Sequence, residues 1–240
     1  INFGALKQKD YIFSSVKKCK KDYFKISGGA VFSDHILVSY YYLNILNHYA
    51  DFLNKSADRV VLEIGGGNGN LMSLIKWHKP NTTIIDVDIP ETISHSILYL
   101  TSLFPSAKIL MPNEVDSDTD FCSYDFVFLT PKQIYLIGDE TVDLAINTHS
   151  FQEMTHTQIS EYFSLIQRVG KIDSYFFSTN RVEKLPSGIN SHKHETSVLP
   201  NRFSEYPWKK SNEIKVYEIC RLFRLIQLDP IFNRLEKIKK

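Results

Sequence analysis

Val60-Val61-Leu62-Glu63-Ile64-Gly65-Gly66-Gly67-Asn68-Gly69 is a β-branched, apolar run that carries one acid and passes directly into a glycine loop. The run reads as a buried strand, and the loop as the turn that follows it. In an open parallel sheet a ligand sits beyond the carboxyl ends of the strands, where strand order reverses, so this turn is the informative one. Glycines at the alternate positions Gly65, Gly67 and Gly69 let the backbone approach a ligand where side chains would collide. The dinucleotide fingerprint G-x-G-x-x-G is not met: counted from Gly65 its last position is Asn70, and counted from Gly67 it is Met72. Glu63 also sets a negative charge before the loop, which repels a pyrophosphate and favours a cation. The sulfonium and ammonium of S-adenosylmethionine fit that requirement. The alternative reading is a tight turn without a ligand.

Outward from this stretch, strands and helices alternate. Leu71 to His78 reads as a helix and Thr82 to Asp88 as a second strand. Pro90 and Glu91 open a helix to Phe104, with a proline and an acid where a first turn favours them. Tyr124 to Thr130, Val142 to Asn147 and Ser174 to Thr179 read as strands, and Ser150 to Val169 as a helix. Such alternation means α/β architecture with a parallel sheet covered on both faces. The tail from Ile214 to Leu228 reads as one or two strands, with Val216, Glu218, Cys220 and Leu222 on one face. Residues 1–55 differ: a basic, aromatic stretch from Lys17 to Lys25, a break at Ser27-Gly28-Gly29, and an apolar-rich helix from Ile36 to Phe52. The core face of that helix is expected at Leu37, Tyr41, Ile45 and His48. The expected division is a helical extension or substrate cap over 1–55 and a donor-binding domain over 56–240.

Three further places carry chemistry. Asp88 lies at the second strand's end, where an acid can accept both hydroxyls of a ribose, with Asp86 as the runner-up. Asn147-Thr148-His149-Ser150-Phe151-Gln152-Glu153-Met154 follows the fourth strand and faces the same edge. His149 could take a proton from a hydroxyl nucleophile, and Glu153 could orient the imidazole or act as the base itself. Against a role in catalysis, Ser150-x-x-Glu153 is also a capping-box pattern. Asn180-Arg181, after the fifth strand, could hold a polar substrate or be an ordinary strand-end turn. Asp116, Asp118 and Asp120 resemble the start of a calcium loop, but Phe121 and Val127 stand where glycine and glutamate are required. His192, His194 and Glu195 form a metal-like trio in a polar stretch where solvation is the ordinary outcome. No metal site is assigned.

Composition bounds the rest. The chain has 240 residues, 43% hydrophobic and 23% charged, which is ordinary for a globular protein. A formal charge of +1 gives no reason to expect nucleic acid or an anionic membrane as partner. Cys19, Cys122 and Cys220 are far apart and odd in number, so neither a disulfide framework nor a zinc site is expected. No apolar run approaches a membrane span, and no signal-peptide pattern opens the chain. A cytoplasmic setting is expected. The chain begins at Ile1 rather than Met, which is compatible with a start upstream of it.

Leu62 through Leu71, Asp88-Ile89-Pro90-Glu91 with Tyr99-Leu100, and Asn147 through Met154 together resemble the sugar O-methyltransferase family. The resemblance spans about residues 25 to 185. It implies a Rossmann-like class I methyltransferase sheet of seven strands, the last antiparallel, with helices on both faces. It implies S-adenosylmethionine as methyl donor, S-adenosylhomocysteine as product, and a sugar or glycoside acceptor in glycan or glycosylated natural-product biosynthesis. The donor would lie over Glu63, Gly65, Gly67, Asn68 and Gly69, with Asp88 or Asp86 and Asn147 nearby and Thr130 and Pro131 near the adenine. The His149 segment is also similar to that of plant-type O-methyltransferases, where a histidine is the base, although Ser150-Phe151 replaces Asp-Trp. A divalent metal assists some sugar methyltransferases, and the need for one is left open here. A non-sugar O-methyltransferase, an inactive donor-binding module and an NAD-dependent oxidoreductase are the alternatives. Oligomeric state is not readable.

Overall fold

The computed structural model describes residues 23–25, 31–52, 59–184, 200–220 and 230–240. Two short antiparallel strands, β1 (Tyr23–Lys25) and β2 (Val31–Ser33), precede helix α1 (Asp34–Ala50). The alternating part follows: β3 (Val60–Ile64), α2 (Asn70–His78), β4 (Thr83–Val87), α3 (Pro90–Leu103), β5 (Ile109–Leu110), β6 (Phe126–Leu129), β7 (Val142–Thr148), α4 (His156–Val169) and β8 (Gly170–Arg181). A short pair, β9 (Glu183–Lys184) with β10 (Asn201–Arg202), and two long strands, β11 (Glu213–Ile219) and β12 (Ile231–Lys237), complete the described elements.

One sheet of eight strands organises the molecule, in the order β11-β12-β8-β7-β3-β4-β6-β5. From β8 to β5 every pairing is parallel, whereas β12 runs antiparallel to both β8 and β11. The Rossmann-like class I sheet with its last strand reversed is therefore present. The strand count is eight rather than the expected seven. The addition is β5, two residues on the outer edge of β6 and too short to leave a period in the sequence.

Alternation along the strands sends side chains to two cores. Val60, Leu62 and Ile64 of β3 join Ile85, Val87, Val127, Ala145 and Phe176, and are covered by Ile159, Phe163 and Ile166 of α4. Val61 faces the other way with Ile84, Phe126, Phe128, Leu144, Ile146 and Phe177, and is covered by α1, α2 and α3. Glu63 belongs by the same alternation to the α1 face.

Helix α1 packs as part of that second core, though not through the expected stripe. Its buried positions are Ile36, Ser39, Tyr42, Leu43, Ile45, Leu46 and Ala50, while Leu37 and Tyr41 are half-buried and His48 is exposed. Apolar residues surround much of this helix, so its periodicity left the buried face underdetermined.

The helix expected from Ser150 begins later. Phe151–Glu153 is a single 3₁₀ turn, and α4 starts at His156 behind Thr155. The capping box is Thr155 with Gln158: the Gln158 amide donates to Thr155 Oγ1 at 3.3 Å, and the Thr155 amide donates to Gln158 Oε1 at 2.9 Å. The tail reading is met in its first part by β11, whereas β12 lies beyond it; Leu222 and its neighbours are outside the described residues, as are Cys19 and the trio His192, His194 and Glu195. No helix among the described residues is long and apolar enough to cross a membrane.

Because Leu46 is fully buried between α1 and the sheet, Leu46→Ala should cost ~2–5 kcal/mol in chemical denaturation. The unfolding should stay a single transition. A cost under 1 kcal/mol, or a separate early transition, would mean that α1 is not part of the cooperative core.

Candidate active site

The strand order reverses at β3, with β4 on one side and β7 on the other. A cleft of about 460 Å³ opens at the carboxyl edge there, within the range of small-molecule sites. Its floor is Glu63 with the loop Gly65 to Asn68; one wall is Thr148, His149 and Gln152; another is α1.

The loop is shaped by conformations that glycine adopts freely. Gly65, Gly67 and Gly69 have φ of +74°, +58° and +78°. A Cβ on Gly65 would lie 2.2 Å from Ser150 Oγ, so no side chain fits between the loop and the segment after β7. A Cβ on Gly67 would meet nothing within 4 Å, because this glycine faces the open cleft. Gly69 sits at the start of α2 and does not line the cleft.

Three acids support this loop in different ways. Glu63, 1% exposed, lines the cleft and its Oε2 has no hydrogen-bond partner. Burial first, then repulsion from Asp86 and Asp88, hold its carboxyl well above the usual range, with partial relief from the Thr148 hydroxyl. Asp86 is buried beneath the loop. It accepts a hydrogen bond from Ser96 Oγ at 2.6 Å, and burial pushes its pKa up to about 7 against the pull of that bond. A side chain on Gly66 would strike the Asp86 carboxylate at 2.5 Å. Asp88 is partly exposed and accepts the amides of Gly67 at 3.0 Å and Ile89 at 2.7 Å, fixing the loop against the end of β4. Neither Asp86 nor Asp88 lines the cleft.

Past β7 the predicted residues divide. Asn147 is fully buried: its Nδ2 donates to the Ile64 carbonyl at 3.0 Å, and its Oδ1 accepts from Asn180 Nδ2 at 2.8 Å. Asn180 is likewise buried and accepts the Gln152 amide at 3.1 Å. These two asparagines knit the strand ends together and do not line the cleft. Ser150 donates to the Ile64 carbonyl at 2.9 Å rather than capping a helix. Glu153 forms an ion pair with Lys184 and lies outside the cleft lining. Thr130 and Pro131 begin the turn after β6, half-buried, with Thr130 bonded to Gln133 and the adjoining Leu129 carbonyl accepting the Asp88 amide at 3.2 Å.

His149 does line the cleft. Its φ is +63°, a left-handed conformation that costs a non-glycine residue ~1–3 kcal/mol. The surroundings hold it there: its amide donates to the Thr179 carbonyl at 2.8 Å, and its Nε2 lies 2.7 Å from the Tyr42 hydroxyl. Burial, followed by the positive charges of Arg181, His35 and Lys184, lowers its pKa to about 4, so the imidazole is neutral at neutral pH. Arg181 also lines the cleft, held by its amide on Gln152 Oε1 at 2.8 Å.

Residues 1–55 were expected to cover a substrate, but the residues of α1 that line the cleft were not singled out in the sequence. His35, Val38, Ser39 and Tyr42 face the cleft at i, i+3, i+4 and i+7. That spacing is present in the sequence, but the competing stripe through Leu37 and Tyr41 is as good a helical face. Thr148 and Gln152, from the segment expected to face this edge, also line the cleft, as does Ile231, which carries no distinguishing local signal. Among the described residues, no group of three or more His, Cys, Asp or Glu side chains is arranged to hold a metal ion.

No protein-family model matches the chain, and no curated protein matches its sequence. Solved structures do match its fold. Magnesium protoporphyrin IX methyltransferase (ChlM) from Synechocystis PCC 6803, with bound S-adenosylhomocysteine, aligns over 99% of this chain and 100% of its own, with a TM-score of 0.56 at 9% identity. Phosphoethanolamine N-methyltransferase 2 from Haemonchus contortus, in complex with S-adenosyl-L-methionine, aligns over 82% of this chain with a TM-score of 0.53 at 12% identity. The chain spans 52% of that enzyme's length. A SAM dependent methyltransferase from Aquifex aeolicus gives a TM-score of 0.50 at 12% identity, covering 82% of this chain and 89% of its own. At such identities the likeness is one of fold, and that fold is the Rossmann-like architecture of the class I S-adenosylmethionine-dependent methyltransferases.

Proposed function

We propose that this chain is a methyltransferase that uses S-adenosylmethionine to methylate a hydroxyl of a small polar acceptor, a sugar or glycoside by the family resemblance. The observation that carries the donor assignment is Glu63: a buried carboxylate with an unpartnered oxygen, facing a cleft beside the unobstructed backbone of Gly67. A buried acid of this kind is costly unless a cation or donor satisfies it. The residues fit the donor. Glu63 and the backbone from Gly65 to Asn68 would hold its cationic end. Asp88 would take the ribose, since a carboxylate has lone pairs left after accepting two amides. Thr130 and Pro131 would border the adenine. S-adenosylmethionine supplies an electrophilic methyl group on a sulfonium.

The chain's own residues would orient the acceptor and receive its proton. Ser39 and Tyr42 on α1 and Gln152 after β7 offer hydrogen-bonding groups that suit a polyhydroxyl compound. His149, neutral and held by Tyr42, would act as the base, a role worth ~10²–10⁴-fold in rate. Glu153, tied to Lys184 outside the cleft lining, would support the turn. Residues 1–55 would supply the acceptor side of the site through α1. Holding the reacting groups in line would contribute ~7–11 kcal/mol.

Thermal shift gives the direct test. S-adenosylhomocysteine should raise the melting temperature and NAD should not; stabilisation by NAD alone would replace this reading with a dinucleotide enzyme. Glu63→Gln, equal in shape, should weaken S-adenosylmethionine binding on the order of tenfold or more. With labelled donor and a panel of monosaccharides and glycosides, His149→Ala should lower turnover ~10²–10⁴-fold while S-adenosylhomocysteine still binds. Wild-type turnover in that variant would exclude His149 as the base.

His149 also makes stability depend on pH. Its folded pKa of about 4 lies below its unfolded value, so between them the unfolded chain binds more protons. The stability of the wild type relative to His149→Gln should fall as pH drops below ~6.5. The loss should be complete near pH 4 and reach at most roughly 3–3.5 kcal/mol. A pH-independent difference in denaturation midpoints would show that the imidazole is not held neutral.

A further inference from the structure

Tyr42 and His149 both line the cleft, and Tyr42 Oη lies 2.7 Å from His149 Nε2. A neutral imidazole carries one proton and offers one lone pair, and only the nitrogen with the lone pair can receive a proton. The hydrogen bond each nitrogen makes decides which one that is. Thr179 Oγ1 donates to Tyr42 Oη at 3.4 Å, which directs the phenolic proton toward Nε2. Burial raises the Tyr42 phenol far above its ordinary pKa, so it keeps that proton. The basic nitrogen of His149 is therefore Nε2, and the Tyr42 hydroxyl already occupies it. The Tyr42 ring is 2% exposed and packs on Phe177, so it is not free to swing aside for an acceptor. A phenolic oxygen has two lone pairs, however, and Thr179 takes only one of them.

We propose that Tyr42 is a catalytic residue, whose hydroxyl receives the proton of the acceptor hydroxyl while passing its own proton to His149 Nε2. The inference rests on the methyl-transfer reading and adds the residue that touches the acceptor. As the acceptor oxygen bonds to the methyl carbon, its O–H bond breaks toward Tyr42 Oη and the Tyr42 O–H bond breaks toward Nε2. The carbon–sulfur electron pair stays on sulfur. The products are the methyl ether, S-adenosylhomocysteine and an imidazolium, which returns its proton to water after product leaves. Tyr42 ends the cycle as it began. No phenolate accumulates, which suits a phenol whose burial disfavours that form. His149 remains the final base, and α1 contributes chemistry as well as a wall.

Long-range proton–nitrogen NMR on the whole chain, labelled at the histidine nitrogens, reads the tautomer without donor or acceptor; His149→Gln assigns the signal. His149 should carry its proton on Nδ1, and Tyr42→Phe should shift the Nε2 resonance. A proton on Nε2 in the wild type would overturn the proposal, since Tyr42 would then only orient the ring. Single-turnover methylation of whichever panel sugar or glycoside the wild type accepts gives the second readout. Tyr42→Phe should slow it ~10²–10⁴-fold, as much as His149→Ala, with S-adenosylhomocysteine affinity unchanged. The double variant should be no slower than either single one, because both residues serve one proton path. The wild-type rate should fall along a curve as deuterium replaces solvent hydrogen, because two protons move together. A straight line, or a Tyr42→Phe rate near that of the wild type, would overturn the relay. Absence of turnover with every panel member would instead remove the methyl-transfer reading on which the relay depends.

Discussion

The carbonyl of Ile64, where β3 ends, receives two side-chain hydrogen bonds from across the sheet: Asn147 Nδ2 at 3.0 Å and Ser150 Oγ at 2.9 Å. This tie joins the carboxyl ends of β3 and β7 at the point where strand order reverses. It draws Ser150 against the glycine loop so closely that Gly65 has no room for a side chain. The same tie places His149 between a strand fixed to β8 and a serine fixed to β3, in a left-handed conformation. From Asn147 the net continues through Asn180 and Gln152 to the Arg181 amide. A satisfied buried network of this kind is rigid, because removing one member leaves the others unpaired. The edge of the sheet is therefore one connected object, and the cleft inherits its precision.

Electrostatics divides the labour among the acids at that edge. Asp88 is satisfied by two amides and serves as a brace. Asp86, deeper, is satisfied in part by Ser96, and its raised pKa reflects the cost of its burial. Glu63 alone among the three lines the open cleft. Three carboxyls within mutual repulsion would be unfavourable in an ordinary core, and that repulsion adds to burial in raising the pKa of Glu63.

Helix α1 contributes to both stability and site. Leu43, Leu46 and Ala50 bury one part of it against the sheet, while His35, Ser39 and Tyr42 look into the cleft. Tyr42 spans the two, packing its ring on Phe177 and reaching His149 with its hydroxyl. The α1 side of the cleft is in this way coupled to folding of the core.

Local sequence determined the strands β3, β4, β6, β7 and β8, the glycine loop between β3 and α2, and hence the parallel sheet and its ligand edge. Hydrophobic period and glycine placement are properties of neighbouring residues, so they are visible without a fold. Tertiary structure decided the rest. Asn147 and Asn180 are polar residues at strand ends in the sequence, and only their contact across β7 and β8 makes them braces. Ser150-x-x-Glu153 has the letters of a capping box, but Ile64, 86 residues away, claims the serine, and Thr155 caps α4 instead. Tyr42 and His149 are 107 residues apart, and nothing in either neighbourhood encodes their meeting. Positions that pack by local period can be read from a sequence; positions whose role is set by a distant hydrogen-bond partner become legible only when the chain has closed.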